Sequence, residues 1–138
     1  MKNEISRRGF LGILFGALSV IGLSSARIGM AAGTGEKWVP VGKKDDFTVG
    51  EPKLIKDEKV YIVRGATGFS AMSAKCTHFG CVVDRENDGT FLCPCHGSAF
   101  DAKGLATKGP AKKPLVWYQT KEEGGSVFVN FKGIVESN

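Results

Sequence analysis

Hydrophobic positions fall into two regimes along this chain. Residues 9–26 form one uncharged run, Gly-Phe-Leu-Gly-Ile-Leu-Phe-Gly-Ala-Leu-Ser-Val-Ile-Gly-Leu-Ser-Ser-Ala. As a helix at about 1.5 Å per residue, such a run spans roughly 27 Å, close to the minimum for a bilayer core. From about Glu36 onward the apolar positions come instead in short bursts. Val60-Tyr61-Ile62-Val63, Leu115-Val116-Trp117-Tyr118 and Val127-Phe128-Val129-Asn130-Phe131 are rich in β-branched and aromatic residues and predict strands. Phe69-Ser70-Ala71-Met72-Ser73-Ala74 alternates larger and smaller side chains, and Phe91-Leu92 is a shorter element of the same kind. Turn residues separate them at Gly50-Glu51-Pro52, Lys56-Asp57-Glu58, Asn87-Asp88-Gly89 and Glu122-Glu123-Gly124-Gly125. None of the bursts has the length or spacing of a helix, so the expected head is all-β, with a hairpin over 82–92. Trp38, Met72, Trp117 and Tyr118 are expected to be packing residues, and Lys43-Lys44-Asp45-Asp46 solvated surface.

The N-terminal region therefore divides from the rest. Ser6-Arg7-Arg8-Gly9-Phe10-Leu11 resembles the twin-arginine export motif, which serves proteins that cross the membrane already folded and loaded with cofactor. Lys2, Arg7 and Arg8 favour a cytoplasmic N-terminus, against the opposing pull of Arg27. We expect a retained anchor over 1–28; cleavage after Ser24-Ser25-Ala26 is the alternative. Residues 29–35, Gly-Met-Ala-Ala-Gly-Thr-Gly, have the glycine content of a flexible hinge, and residues 36–138 form the head.

Composition limits the possible functions. At 138 residues the chain holds one modest core and leaves no room for a second catalytic domain. Its formal net charge is +5, but residues 36–138 carry only +2, from 15 Lys or Arg against 13 Asp or Glu. This mixed-sign surface does not advertise a nucleic-acid partner.

All 4 cysteines and both histidines lie in two boxes, Cys76-Thr77-His78-Phe79-Gly80-Cys81 and Cys93-Pro94-Cys95-His96-Gly97-Ser98. The Cys76/His78 and Cys93/His96 spacings let each loop turn one sulfur and one nitrogen inward. Two thiolates with two imidazoles suit zinc as well as iron, and ligand count alone does not choose between them. Gly80 and Gly97 permit close backbone approach to an inorganic core, while Pro94 restrains the turn between two cysteines.

Cys-Thr-His-x-Gly-Cys followed by Cys-Pro-Cys-His-Gly-Ser closely resembles the Rieske iron-sulfur proteins of cytochrome bc-type quinol-oxidising complexes. The resemblance extends to the N-terminal anchor, the glycine-rich hinge and Gly109-Pro110-Ala111, which stands where the family has its proline loop. It implies an antiparallel β-sandwich with a cluster-binding subdomain, preceded by one transmembrane helix. It also implies one [2Fe-2S] cluster, with Cys76 and Cys93 on one iron, His78 and His96 on the other, and a Cys81–Cys95 disulfide. By the same resemblance His96 meets quinol and His78 is the neighbouring exposed ligand. Ser98 would donate to a bridging sulfide.

Phe100 departs from the family's high-potential members, which carry a tyrosine there whose hydroxyl donates to a ligand sulfur, here that of Cys76. A lower potential and a low-potential quinol such as menaquinol follow. Phe79, Gly109 and Pro110 are the expected docking residues. Lys112 and Lys113 lengthen the proline loop, with an acidic partner, lipid headgroups or plain solvation as the readings open to them.

The implied role is an electron-transfer subunit of a multisubunit quinol-cytochrome oxidoreductase, not the complete enzyme. It would take an electron, with coupled proton transfer, from quinol at a cytochrome b-type subunit and pass it to a c-type or equivalent cytochrome. The implied location is a bacterial cytoplasmic or other energy-transducing membrane, crossed once, in contact with lipid and with the head on the positive side. The alternative is the small Rieske subunit of an arsenite-oxidase-like molybdenum enzyme, against which Gly97 before Ser98 argues.

Overall fold

A computed structural model describes residues 35–136 as antiparallel β structure. The expected anchor over 1–28, and the hinge over 29–35 apart from Gly35, lie outside the described residues. Among the described residues no helix is long and apolar enough to cross a membrane.

One sheet has six strands in the order β1 (Trp38–Lys43), β10 (Ser126–Val135), β9 (Trp117–Glu123), β4 (Phe69–Ser73), β3 (Val60–Arg64), β2 (Pro52–Ile55). A smaller sheet has the order β5 (Asp84–Arg85), β6 (Phe91–Leu92), β7 (Ala99–Phe100), β8 (Ala106–Lys108). The all-β expectation holds among the described residues, where the one helical element is a 3₁₀ turn at Lys44–Asp46, inside the run expected to be solvated. The expected hairpin pairs Asp84 with Leu92 and Arg85 with Phe91.

Strand alternation explains how the larger sheet serves two cores. Successive side chains of a strand point to opposite faces. Val60 and Ile62 of β3 and Ala71 of β4 join Val41, Phe47, Val127 and Val129 on one face. Tyr61 and Met72, from the same strands, join Ala74, Val83, Phe91, Phe100, Ala111 and Leu115 on the other. A strand covered on both faces reads as a continuous apolar run, which is why Val60–Val63 stands out in the sequence. The second core also contains Cys76 and Cys93, so the two boxes are seated on it. Tyr61 ties that core to the first box's flank: its hydroxyl donates to the Val83 carbonyl at 2.9 Å, and its ring lies 4.9 Å from that of Phe91. Burial pushes the Tyr61 phenol above its ordinary pKa.

Three local expectations need correction. The strand expected at Leu115–Tyr118 begins only at Trp117. Leu115 is buried outside it, its N–H donating to the Gly104 carbonyl at 2.8 Å, while the Val116 carbonyl accepts from the Ser73 N–H at 2.7 Å. The Val116 bond flanks the Met72–Trp117 pair at the end of the β4–β9 ladder, while the Leu115 bond turns the chain away from it to the Gly104 connection of the small sheet. The turn expected at Gly50-Glu51-Pro52 ends earlier, because Pro52 is already the first residue of β2. Finally, β1 and β2 were not foreseen as strands; both are edges, where Pro40, Gly42 and Pro52 are tolerated because one side of the backbone needs no ladder partner.

Gly104 marks where the two halves meet most closely. It has φ +81°, and a Cβ there would lie 2.8 Å from Met72 Sδ and 3.1 Å from Leu115 Cβ. Gly104→Ala should therefore destabilise the full chain by about 1–3 kcal/mol through backbone strain and overpacking. Urea unfolding measures this; a change within a few tenths of a kcal/mol would contradict the close approach.

Candidate metal centre

The two boxes are the same loop built twice. In the first, the Cys76 N–H donates to the Cys81 carbonyl and the Gly80 N–H donates back to the Cys76 carbonyl, both at 2.8 Å. In the second, the Cys93 N–H donates to the Ser98 carbonyl at 2.8 Å and the Gly97 N–H to the Cys93 carbonyl at 2.9 Å. The glycine four residues after each leading cysteine has a left-handed φ, +78° at Gly80 and +70° at Gly97, which closes the loop at no Cβ penalty. β4 delivers the first loop and β6 the second, as the sequence implied.

A covalent bond joins them. Cys81 and Cys95 form a disulfide with a sequence separation of 14. Closing a loop of that size contributes about 3 kcal/mol by restricting the unfolded chain. Its two sulfurs lie within 4.8 Å of each other and of the Cys93 sulfur, but they are spent on the bridge and offer no thiolate to a metal.

What remains fits a metal group. Cys76 and Cys93 are free thiols, 3% and 1% exposed. The His78 and His96 rings stand 4.9 Å apart and nearly perpendicular, at 88°. His78 Nδ1 is buried without a hydrogen-bond partner, the one such side-chain atom among the described residues. Buried polar atoms are nearly always satisfied, and an unpaired imidazole nitrogen beside two unbridged, buried cysteines has the donor chemistry of a ligand set. The structure thus seats Cys76 and Cys93 in the second core and sets the His78 and His96 rings beside each other on the loops that begin at those cysteines.

The histidine side faces outward. His96 is exposed and His78 half-buried. Phe79 is 75% exposed, its ring 4.0 Å from that of His78 and 5.7 Å from that of His96. An apolar ring therefore stands at the tip beside both imidazoles. Gly109 and Pro110 are exposed, joined by a cis peptide, and Ala111 after them is buried.

Side-chain bonds hold the proline loop against both boxes. Ser98 is fully buried, and its Oγ accepts the Ala111 N–H at 2.9 Å. Thr77 Oγ1 donates to the Lys113 carbonyl at 2.6 Å. Sequence reasoning gave Thr77 no role, and no local signal marks it, since its partner is a backbone oxygen 36 residues away. Phe100 is fully buried on β7, opposite Phe91 of β6, and has no hydroxyl to offer a sulfur.

The Rieske [2Fe-2S] domain family matches residues 37–120. Over 142 residues the chain is 29% identical to the cytochrome b6-f complex iron-sulfur subunit of Chlorobaculum thiosulfatiphilum, a match covering 92% of this chain and 76% of that protein. With iron-sulfur subunit 1 of the same complex in Nostoc sp. (strain PCC 7120) it is 32% identical over 149 residues, covering 90% of this chain and 83% of that protein. Against other curated relatives the chain spans about half their length. The crystal structure of the cyanobacterial plasma membrane Rieske protein PetC3 from Synechocystis PCC 6803 superposes with a TM-score of 0.52 at 36% identity, covering 67% of this chain and 98% of that one.

Ser98→Ala removes the acceptor of a buried amide. It should cost about 1–3 kcal/mol and speed hydrogen exchange at the Ala111 N–H by at least about tenfold. Unaltered exchange at that amide would rule out the Ser98 hydroxyl as its partner.

Proposed function

The chain belongs to the Rieske [2Fe-2S] domain family, whose cofactor is one [2Fe-2S] cluster, and we propose that it is the iron-sulfur subunit of a cytochrome b6-f- or bc-type quinol-oxidising complex. The observation that carries this reading is the imidazole pair at the tip, His96 exposed and His78 half-buried, beside two buried free thiols. Similarity to cytochrome b6-f iron-sulfur subunits over most of the chain supports it.

When bound, the cluster supplies a one-electron redox centre whose potential lies above that of an all-cysteine cluster, because two neutral imidazoles replace two thiolates. Cys76 and Cys93 would hold one iron, and His78 and His96 the other. The buried, unpartnered Nδ1 of His78 supports ligation through that atom, which leaves Nε2 for proton exchange. At the exposed His96, the ring nitrogen not bound to metal accepts a hydrogen bond from the quinol hydroxyl and then its proton. With the cluster bound, its reduction would raise the proton affinity of that nitrogen, and the His96 ring would serve both transfers. Cys81–Cys95 keeps both ligand loops in register, and the Ser98 hydroxyl, having accepted the Ala111 N–H, retains its own proton to donate toward the cluster.

Phe79, Gly109 and Pro110 form the docking tip for a cytochrome b-type subunit, and a c-type or equivalent cytochrome takes the electron. The charge-free run 9–26 anchors the chain in an energy-transducing membrane, and residues 29–35 let the head move between the two partners. Without a tyrosine hydroxyl at position 100 the potential is lower than in relatives that carry one, which suits menaquinol.

Two measurements test the reading. Purification of the native membrane complex should recover haem-bearing cytochromes and a quinone, with a reduced electron-spin signal from the cluster; zinc at full occupancy, or a molybdenum subunit in place of cytochrome b, would overturn it. Phe100→Tyr should raise the midpoint potential. One added hydrogen bond worth about 1 kcal/mol more to the reduced state corresponds to roughly 40 mV. An unchanged potential with the hydroxyl in contact with Cys76 would contradict the tuning role.

A further inference from the structure

We propose that the Lys112–Lys113 segment of the proline loop is a cationic docking face for an acidic protein surface on the electron partner. This presupposes the electron-transfer role set out above and adds to it the charge of the partner.

Position comes first. The Ala111 N–H is held by Ser98 Oγ at 2.9 Å, and the Lys113 carbonyl is held by Thr77 Oγ1 at 2.6 Å. Ser98 closes the second box and Thr77 stands next to His78 in the first. Lys112 and Lys113 are therefore carried on a loop whose backbone is pinned to both boxes on either side of them. Both side chains are exposed. They stand on the same subdomain as exposed His96 and the exposed Phe79 ring, so a surface that closes on the tip meets them.

The charge around them is one-sided. From Lys103 to Lys121 the chain carries five lysines and no Asp or Glu. Neither of the ion pairs among the described residues uses Lys103, Lys108, Lys112 or Lys113. The nearest preceding carboxylate, Asp101, is turned to its own backbone, accepting the N–H groups of Lys103 and Leu105 at 2.9 and 2.8 Å.

Glu136 shares a cleft with Pro114 and Leu115, and the turn that carries Asp57 and Glu58 bonds Ala74 through the Lys59 carbonyl, so three carboxylates stand toward this end; sheet topology separates five others from the lysine loop. In the small sheet the lysine loop follows β8 at one edge, whereas Asp84 lies on β5 at the other, with Glu86 and Asp88 in the turn that follows it. Three inter-strand steps of about 4.8 Å put these edges roughly 14 Å apart, beyond the screening length at physiological salt. In the large sheet Glu122 and Glu123 close the far end of β9, whose near end, Trp117, pairs with Met72 next to the first box. Seven residues at about 3.3 Å each make that separation roughly 20 Å. The loop itself thus carries cations alone, with Glu136 behind it across the Pro114 cleft and the acids of β5 and of the far end of β9 more than a screening length away.

Lys108 sits on an edge strand, where a lysine also blocks unwanted strand pairing. Lys112 and Lys113 have no such duty, and their side chains make no hydrogen bond among the described residues. Polybasic membrane recognition usually draws on clusters of four to eight cations. With Lys108 set aside on its edge strand, Lys103, Lys112 and Lys113 make three, short of that, yet a few charges beside a contact patch are enough to orient a protein encounter and raise its rate.

The test uses the full-length, detergent-solubilised protein with its cluster reduced, mixed by stopped flow with a soluble c-type cytochrome of strongly negative net charge. A cationic c-type cytochrome of similar potential is the control, and salt runs from about 10 mM to 1 M. The wild-type rate with the acidic cytochrome should fall at least about tenfold across that range, as the screening length shrinks from roughly 30 to 3 Å. Lys112→Glu with Lys113→Glu should lower the low-salt rate about tenfold, flatten the salt dependence and converge with wild type at 1 M; with the cationic cytochrome the change should reverse sign. The paired Lys→Gln variants should fall between, and they keep the test open if charge reversal disturbs folding.

An unchanged salt slope would overturn the proposal. So would an equal loss at 1 M salt, or a loss confined to binding of phosphatidylglycerol vesicles. A protein without the cluster's spectrum, or one purified with a molybdenum subunit, fails the functional reading itself; a flat slope in a protein that passes both checks removes only the docking face.

Discussion

The Cys81–Cys95 bond is the constraint on which the site depends. Each box closes on itself through a pair of backbone hydrogen bonds, so each loop is locally stable, but none of those bonds fixes one loop against the other. The disulfide supplies that link beside the Cys93 thiol. Two buried thiols and two imidazoles can then converge from separate loops without a large entropic cost for ordering them at each binding event.

Beneath the loops, alternation in β3 and β4 divides the interior into two cores that share a backbone. One stabilises the large sheet; the other forms the floor of the metal centre and includes both free cysteines. The thiolate side is therefore embedded in a packed interior of low dielectric, while the imidazole side meets solvent. Such an asymmetric setting holds the sulfur side rigid and leaves the imidazole side accessible.

The proline loop turns this centre into a surface. Ser98 and Thr77, one from each box, hold it by Ala111 and Lys113, so its exposed residues are positioned by the same loops that position the ligands. An apolar ring, an imidazole edge and a pair of cations are brought into one tip by a few hydrogen bonds. Between Lys103 and Lys121 the chain carries only cations, whereas Asp84, Glu86 and Asp88 belong to the opposite edge of the small sheet.

Features that depend on neighbours in sequence were legible from the residues alone. The cysteine, histidine and glycine spacings defined two loops, β-branched and aromatic bursts marked β3, β9 and β10, alternation of larger and smaller side chains marked β4, and a charge-free run stood apart at the N-terminus. Edge strands β1 and β2 escaped because proline and glycine weaken strand signals wherever a backbone side needs no partner. Long-range contacts decided the rest. Leu115 left its strand pattern to bond Gly104, Thr77 acquired a partner 36 residues away, and through it the backbone of the proline loop was tied to the box that carries His78. Local pattern reports which backbone conformations a segment favours; which segments then meet, and which charges end up side by side, is set by burial and hydrogen bonding across the fold, and those energies exist only once the chain has closed.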